Sequence, residues 1–566
     1  MVSQHGVLLA VSIISDHFGP IVSKVIRCLL RHGPLSLQEV ARRVKLSSSQ
    51  VKNALLVLIQ HNCVQAFLTL RGKASHGSDD KTVTLYLAIF DNVLHRLRFS
   101  KFLSLIHDDI PESEVLIEGL LLNGRLTFDQ LVERTISKSK SEGKTVPNRE
   151  EIRKRFNKLV YAHYVERCPK PQPNFDPLAD EQPTSSRKRA SKIVEKVLSL
   201  EQKVVCTAAL SDAERFAEIP YVMEGSSNAN DSQHQSIAGA KRKHESLEVD
   251  EEHTIIAENE VLWRANFEKL IFCLKKKFCA ERKKAKLKLG SHSIWEAFFE
   301  ANVTDKDNKS VTSPINGILD KLRQKEGGSS MTLDQVTGVL NDLECVSSST
   351  NPEEFAFDLN KFAETCRNDE IESLVKKKYG QEAYIILRLL IKQGCPVETD
   401  QITDMTILDK LKVHETLYKL WQDEYIDSEV YLNFGYSVGL RTQGDLLFGV
   451  RTALPPTLKL QAGSKEELDA SIITLIILQK VSATGNTNYF VWRVKSTLQE
   501  QFIDRLYHAA LNLRQMVNNI VELQLEVSTE CPRDGSKDET KLRNRKNILI
   551  LALIRHDESL MLFHDF

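Results

Sequence analysis

One recurring pattern constrains this chain more than any other: three amphipathic helices in close succession that give way to β-branched strand residues. In its first instance Ile21, Val22, Val25, Ile26, Leu29 and Leu30 recur at the spacing of one helix face and stop at Gly33-Pro34. Ser36 with Glu39 predicts a capping box ahead of Leu37, Val40, Ala41 and Val44, and Ser47 with Gln50 predicts another ahead of Val51, Ala54, Leu55, Leu58 and Ile59. In such a box the hydroxyl accepts from a free N–H at the helix start while the acidic or amide side chain returns the bond. After His61-Asn62 the period changes, and Val64 to Leu70 and Val83 to Ile89 read as strands around a Gly/Ser/Asp loop. Helix, helix, helix, strand, loop, strand is the order of a winged helix, a helix-turn-helix variant with a β-hairpin wing.

The order starts again at Val115, Leu116, Ile117, Leu120, Leu121 and Leu122, followed by a Thr127/Gln130 box and an Asn148/Glu151 box ahead of Ile152, Phe156, Leu159 and Val160. A further copy runs through Tyr384 to Ile391, Ile402 and Met405, then Leu411 to Trp421. The third helices also end alike: HNCVQ at 61–65, AHYVE at 162–166 and DEYID at 423–427 each pass from polar residues into a strand. A less regular copy falls between 255 and 360, where Ile315 to Leu322 and the Thr332/Gln335 box supply two helices and Phe355 to Leu359 a strand. The tail carries Phe502, Leu506, Ala509, Leu513, Met516, Ile520, Leu523 and Val527 in alternating steps of four and three, a coiled-coil seam, with Leu542, Leu549, Leu553, Leu560 and Phe563 on a returning helix.

The predicted fold is therefore mainly α with small β-wings: four tandem winged-helix domains plus a C-terminal antiparallel coiled-coil hairpin. The expected boundaries are 1–107 and 108–168 for the first two winged helices, 255–368 and 369–496 for the next two, and 497–566 for the coiled coil. At 566 residues the chain exceeds the roughly 250 to 300 at which a single core stops growing, which agrees with several domains. Between the second and third copies, residues 169–254 hold five prolines from Pro169 to Pro183 and few aromatics. That composition cannot bury enough apolar surface to offset its ordering entropy, so the segment is expected to be mostly disordered, with a helix around Lys192 to Ala217.

Composition bounds function as well. Lys plus Arg and Asp plus Glu both total 76, so any nucleic-acid contact must be local. The ten cysteines show no CxxC pair and no zinc spacing, and they read as reduced, packed thiols. No apolar run approaches the ~20 residues of a membrane span, and the chain is expected to be soluble and intracellular. There is no GxxxxGK[ST], GxGxxG after a strand, HExxH or GxSxG, so the chain reads as non-catalytic and without a cofactor.

The densest charge lies between Lys269 and Lys288, where Lys275, Lys276, Lys277, Arg282, Lys283 and Lys284 are candidates for DNA phosphate contact. The bland alternative is a solvated helix face whose apolar side, Leu270, Ile271, Leu274 and Phe278, packs on a core. The third helix of the first copy carries one cation, Lys52, with Arg42, Arg43 and Lys45 beside it. These four suit DNA backbone contact, and the competing reading is a packing face for a partner protein, since winged helices serve both uses. Two basic runs, Arg187-Lys188-Arg189 and Lys241-Arg242-Lys243, are candidates for nuclear import or ordinary solvated runs. Phe502, Leu506, Leu513, Ile520 and Leu523 are the candidate contacts of the coiled-coil seam.

Four winged-helix copies, an insert after the second and a C-terminal helical hairpin resemble the family of the third-largest subunit of RNA polymerase III, a relative of the alpha subunit of general transcription factor IIE. Residues 15–62, with Phe18-Gly19 ahead of a helix and Leu55 to Ile59 in the third, resemble that family's first winged helix. Trp263-Arg264-Ala265-Asn266-Phe267 resembles its segment at the start of the third winged helix, and YFVWRV at 489–494 its aromatic strand before the coiled coil. The chain departs from the family in a long span from Asn433 to Asn488 and a short terminal hairpin. The resemblance implies a nuclear, non-catalytic subunit in a peripheral initiation heterotrimer on the polymerase clamp. Its implied partners are the other polymerase subunits, the initiation factor and double-stranded or melting promoter DNA, with no membrane. Its implied work is promoter engagement and opening for transfer RNA, 5S ribosomal RNA and other small RNAs. A free winged-helix transcription regulator, or a scaffold of an RNA-processing or proteolytic complex, would share the same folds, and co-purifying proteins separate the three.

Overall fold

The structure, a computed structural model, describes residues 2–70, 82–143, 145–175, 199–218, 261–287, 291–302, 310–325, 332–347, 353–432, 452–453, 488–530 and 536–566. These residues form a mainly helical protein with small antiparallel sheets. The chain divides into two compact bodies, Met1–Leu274 and Lys275–Phe566, the division falling within the helix Phe267–Lys284.

In the first body the expected helices form at Pro20–His32, Leu37–Val44 and Ser48–Gln60. Both capping boxes close: the Glu39 N–H donates to Ser36 Oγ while Ser36 N–H donates to Glu39 Oε2, and Ser47 and Gln50 repeat the exchange. Strand Val64–Leu70 pairs antiparallel with Thr82–Ala88, and Leu35 bridges to Tyr86 on the outer side of the second strand. A helix not foreseen in the sequence, Gln4–Phe18, precedes this set, capped by Ser3 and burying Leu9, Ala10, Ile13 and Ile14. Its apolar residues surround it too fully to show one face by period.

The second set follows the same order, with Glu114–Asn123, the short strand Leu126–Thr127, Phe128–Ser141, Arg149–Tyr161 and the strand Val165–Arg167. Its sheet is completed by Leu262–Ala265, which lies between the other two strands, with Leu126 opposite Trp263 and Val165 opposite Ala265. The segment expected to start the third winged helix thus closes the second sheet instead. Trp263 is the reason: it is 1% exposed, edge-on to Phe156 at 5.1 Å, in a core that Val165 and Leu126 alone do not fill.

Everything from 169 to 261 is then a connection between two strands of one sheet, and its described parts correct the expectation of disorder. Leu68 N–H donates to the Pro173 carbonyl and Phe175 N–H to that of Leu68, so residues 173–175 lie along the first hairpin's edge, where Pro173's missing N–H is tolerated. The helices Leu200–Ala208 and Asp212–Arg215 replace the single one expected. Val204 is fully buried in a cluster with Phe67 and Leu87, and Arg215 pairs with the buried Glu166, which Arg264 Nε also meets at 2.8 Å.

In the second body the order appears twice more. The less regular copy gains its first helix at His292–Glu300 and a short strand at Ser310–Pro314 ahead of Ile315–Arg323, Leu333–Asp342, Val346–Ser347 and Glu354–Asp358. Trp295 anchors it, donating from Nε1 to the Ala280 carbonyl at 2.9 Å. The last copy comprises Gln381–Gln393, Val397–Glu398, Thr399–Thr406, Lys410–Gln422, Ile426–Leu432 and Asn488–Val494, with Thr452–Ala453 on the sheet's edge. In each of the three multi-stranded sheets the final strand lies between the short strand and the one that follows the third helix.

The four third helices end in the same hydrogen-bonded turn. Asn62, His163, Glu344 and Glu424 are left-handed, with φ of 59, 63, 65 and 64°. Each N–H reaches back three residues and the next N–H five, as in Asn62 to Ile59 and Cys63 to Leu58, or Glu424 to Trp421 and Tyr425 to Leu420. This is a Schellman turn, which satisfies the last carbonyls and drops the following residue into the core; Cys63, Tyr164, Cys345 and Tyr425 are all buried there.

Two long helices, Leu498–Glu530 and Ser536–His564, run antiparallel, with Phe502 and Phe563 ring centroids 4.7 Å apart and His556 Nε2 2.8 Å from the Leu506 carbonyl oxygen. Phe502, Leu506 and Ile520 of the expected seam are buried and Leu513 is half-buried, whereas Leu523 is 46% exposed. Tyr507, Ala510 and Leu511 are buried as well, so the buried face is broader than the expected four-three stripe near its start and does not extend to the expected Leu523.

Candidate nucleic-acid interface

The first turn between second and third helices gathers the clearest set of available cations. Lys45 closes the second helix in a left-handed conformation, φ 57° and ψ 41°, which swings the chain into the third helix. Arg42 and Arg43 come from the last turn before it and Lys52 from the second turn after it. All four are exposed, and none makes an ion pair among the described residues. The exposed N-terminal end of the helix Ser48–Gln60 adds its partly unsatisfied N–H groups to the same side. Four exposed cations beside a helix start make a surface suited to phosphate oxygens.

The basic helix Phe267–Lys284 is different. Lys275 is 6% exposed, with its ammonium donating to Asn360 Oδ1 and, at 2.8 Å, to the Phe566 main-chain oxygen. Burial holds its pKa below the usual lysine value. Lys275, expected to contact phosphate, is therefore enclosed instead, and its ammonium ties its helix to Asn360 and Phe566 within the second body. Arg282 lies 3.5 Å from Glu370, Lys283 3.4 Å from Glu344 with its ammonium over the Phe362 ring at 5.4 Å, and Lys284 pairs with Glu296. Lys276 sits over the Phe299 ring, and Lys277 is exposed. Half of the six candidate cations, Arg282, Lys283 and Lys284, are thus met by carboxylates from other elements of the body.

A second group of cations escaped the sequence reading. On the third helix of the second copy, Lys154 and Lys158 are exposed one turn apart and Tyr161, 81% exposed, continues the same face. Arg155 and Lys158 each lie 3.9 Å from Glu112, whereas Lys154 has no ion pair among the described residues. The string RKRFNK at 153–158 carries the signal, interleaved with the apolar positions Ile152, Phe156, Leu159 and Val160 of the opposite face.

The basic runs at 187–189 and 241–243 lie outside the described residues. No group of His, Cys, Asp and Glu that could hold a metal occurs among the described residues, and no described helix is long and apolar enough to cross a membrane.

Two protein-family models match. One, described as RNA polymerase III subunit RPC82, covers residues 154–354, and the other, described as that subunit's helix-turn-helix domain, covers residues 8–69. The second match contains Arg42, Arg43, Lys45 and Lys52. Among curated proteins, the DNA-directed RNA polymerase III subunit RPC3 of Bos taurus is 24% identical over 437 residues, 75% of this chain and 76% of its own length. The Homo sapiens protein of the same name is 23% identical over 439 residues, again 75% and 76%. That of Dictyostelium discoideum is 32% identical over 184 residues, 30% of this chain and 27% of its own.

Proposed function

The chain belongs to the family of the third-largest subunit of RNA polymerase III, and from that membership we propose that it engages promoter DNA through the first helix-turn-helix turn while the polymerase's other subunits carry the chemistry. It is a non-catalytic subunit of DNA-directed RNA polymerase III, with other subunits of that enzyme as partners. The finer reading is a place in the peripheral initiation heterotrimer beside the clamp, contact with an initiation factor, and help in opening the duplex for transfer RNA, 5S ribosomal RNA and other small-RNA genes. It implies residence in the nucleus, with the two basic runs as import signals.

The architecture that serves this role is four tandem winged helices and an antiparallel coiled-coil hairpin. The repeated element order and the four matching Schellman turns support it. The domains are then 1–107, 108–168 with the returning strand Leu262–Ala265 added, the wing insertion between them, a third winged helix through 368, a fourth at 369–496 and the hairpin at 497–566.

The observation that carries the DNA assignment is the exposed, ion-pair-free set Arg42, Arg43, Lys45 and Lys52 at the turn where a helix-turn-helix protein meets the duplex. Binding by the isolated chain is expected to be weak and indifferent to sequence, with a Kd of ~10⁻⁴ to 10⁻⁶ M at physiological salt. Reversing Arg42, Arg43 and Lys45 to Glu lowers affinity for all duplexes alike and reduces the slope of log Kd against log salt by about 0.9 for each phosphate that is no longer neutralised. Reversing Lys283 and Lys284 instead changes that slope little. An unchanged slope in the first variant, measured by fluorescence anisotropy across a salt series, would return the turn to a protein-facing role.

A further inference from the structure

We propose that the equivalent turn of the fourth copy, Met405 to Leu411, is a docking surface for another polypeptide subunit, which presents an apolar cluster flanked by a basic side chain. That the partner is a subunit rests on the polymerase membership; the surface itself rests on the chemistry of this turn.

The first and fourth copies superimpose in sequence at this point without a gap. Ile407 ends its second helix left-handed, φ 55° and ψ 30°, where Lys45 stands at φ 57° and ψ 41°. The next residues are Leu408 and Leu46, then Asp409 and Ser47 preceding the third helices, which start at Lys410 and Ser48. Two positions earlier Met405 corresponds to Arg43, and Asp404 to Arg42. One backbone therefore carries Arg, Arg and Lys in the first copy and Asp, Met and Ile in the fourth.

The fourth version is costly to leave in water. Ile407 is 92% exposed, Leu411 62% and Met405 54%, all within one turn of chain. A β-branched side chain is among the worst fitted to the left-handed region, and a lysine, asparagine or glycine would serve the same turn. Strain and full exposure of an apolar side chain at one position mark a surface that something covers. Nucleic acid does not fit. Lys410 is 2.6 Å from Asp400 and Lys412 3.2 Å from Glu382, so the cations of the turn are neutralised internally. Asp404 and Asp409 are exposed without an ion pair among the described residues and would face phosphates with like charge. A second copy of this chain across a twofold axis would oppose the same carboxylates to each other. A polypeptide with apolar side chains and a lysine or arginine meets both features.

The test is site-specific photo-crosslinking within the polymerase. A benzophenone amino acid replaces Met405 in the full chain, the enzyme is purified through a different subunit, and the crosslinked peptides are identified by mass spectrometry. The expected product joins Met405's position to a segment of another subunit that contains apolar residues and at least one Lys or Arg. Ile407→Asn with Leu411→Asn lowers its yield by at least about tenfold, since each apolar side chain removed from a buried interface weakens binding by roughly tenfold or more. Asparagine tolerates the left-handed turn, so the chain's thermal midpoint stays the same or rises, which separates impaired docking from impaired folding. Crosslinks to DNA, to a second copy, or to residues 454–487 of this chain overturn the proposal, as does the absence of any product from an assembled enzyme. Recovery of the chain with the polymerase tests the family-based reading separately, and a chain that fails to assemble overturns both.

Discussion

His61, at the end of the first copy's third helix, is held neutral by its surroundings. Its ring lies 4.5 Å from that of Phe18, and Arg96 stacks over the same Phe18 ring at 4.6 Å. Burial first, then the Arg96 and His17 charges, push its pKa down to about 4. A depressed imidazole means that the unfolded chain takes up a proton, near its ordinary value of about 6.5, that the folded chain refuses. The stabilising contribution is fully present above that value and is lost as pH falls from 6.5 toward 4. Solvent still reaches part of the ring, so the loss between pH 7 and 5 is expected to be about 1 kcal/mol. Urea unfolding at the two pH values checks it: His61→Gln should shed that part of the pH dependence. Equal loss in wild type and variant would mean that another group is responsible. Asn62 beside it shows a different constraint, serving at once as the left-handed turn residue, as acceptor from the buried Arg125 Nε at 2.9 Å, and through its carbonyl as acceptor from Asn92.

The insertion helix Leu200–Ala208 is an element whose order depends entirely on what it touches. Its own nine residues fall short of the ~12 to 15 needed for a helix to persist in water, so Val204 and the Glu201 carboxylate accepting from Phe90 N–H hold it against the first hairpin. Val204→Asp buries an unpaired charge and is expected to release the helix at a cost of about 3 kcal/mol, exposing residues 199–218 as an early site of limited proteolysis. A digestion pattern indistinguishable from wild type would show that other contacts suffice. The terminal helices make the opposite point, since their length sustains them but their contact face is limited. Ile520→Asp should destabilise the pair by about 2 to 3 kcal/mol, while Leu523→Asp should change stability by no more than about 0.5 kcal/mol. Comparable losses in thermal unfolding would mean that Leu523 is covered in the protein's working state.

Across the molecule, equal numbers of acidic and basic residues leave function to local surfaces, and the repeat supplies several versions of the same surface. The first copy exposes Arg42, Arg43, Lys45 and Lys52, the second Lys154 and Lys158, and the fourth an apolar, acidic turn, so one element order presents different surfaces through its exposed residues alone. Much of this was determined by local sequence. Capping boxes at Ser36, Ser47, Thr127 and Thr332, the periods of the apolar faces and the polar-to-strand transitions are short-range signals, and hydrogen bonds within three to five residues realise them. The absence of catalytic motifs and the family likeness were legible for the same reason, being carried by contiguous residues. Tertiary structure decided what depends on distant partners. Trp263 closes a sheet begun at Leu126 because a core there needs an aromatic, the proline-rich insertion is ordered where Phe67 and Leu87 receive it, and Gly124 is required because a Cβ would strike the Gln60 carbonyl. Charge followed the same rule: Lys275 and Arg42 both read as surface cations in the sequence, and only the placement of Asn360 and Phe566 around one ammonium, with open solvent around the other cation, separates a buried fastener from an exposed charge.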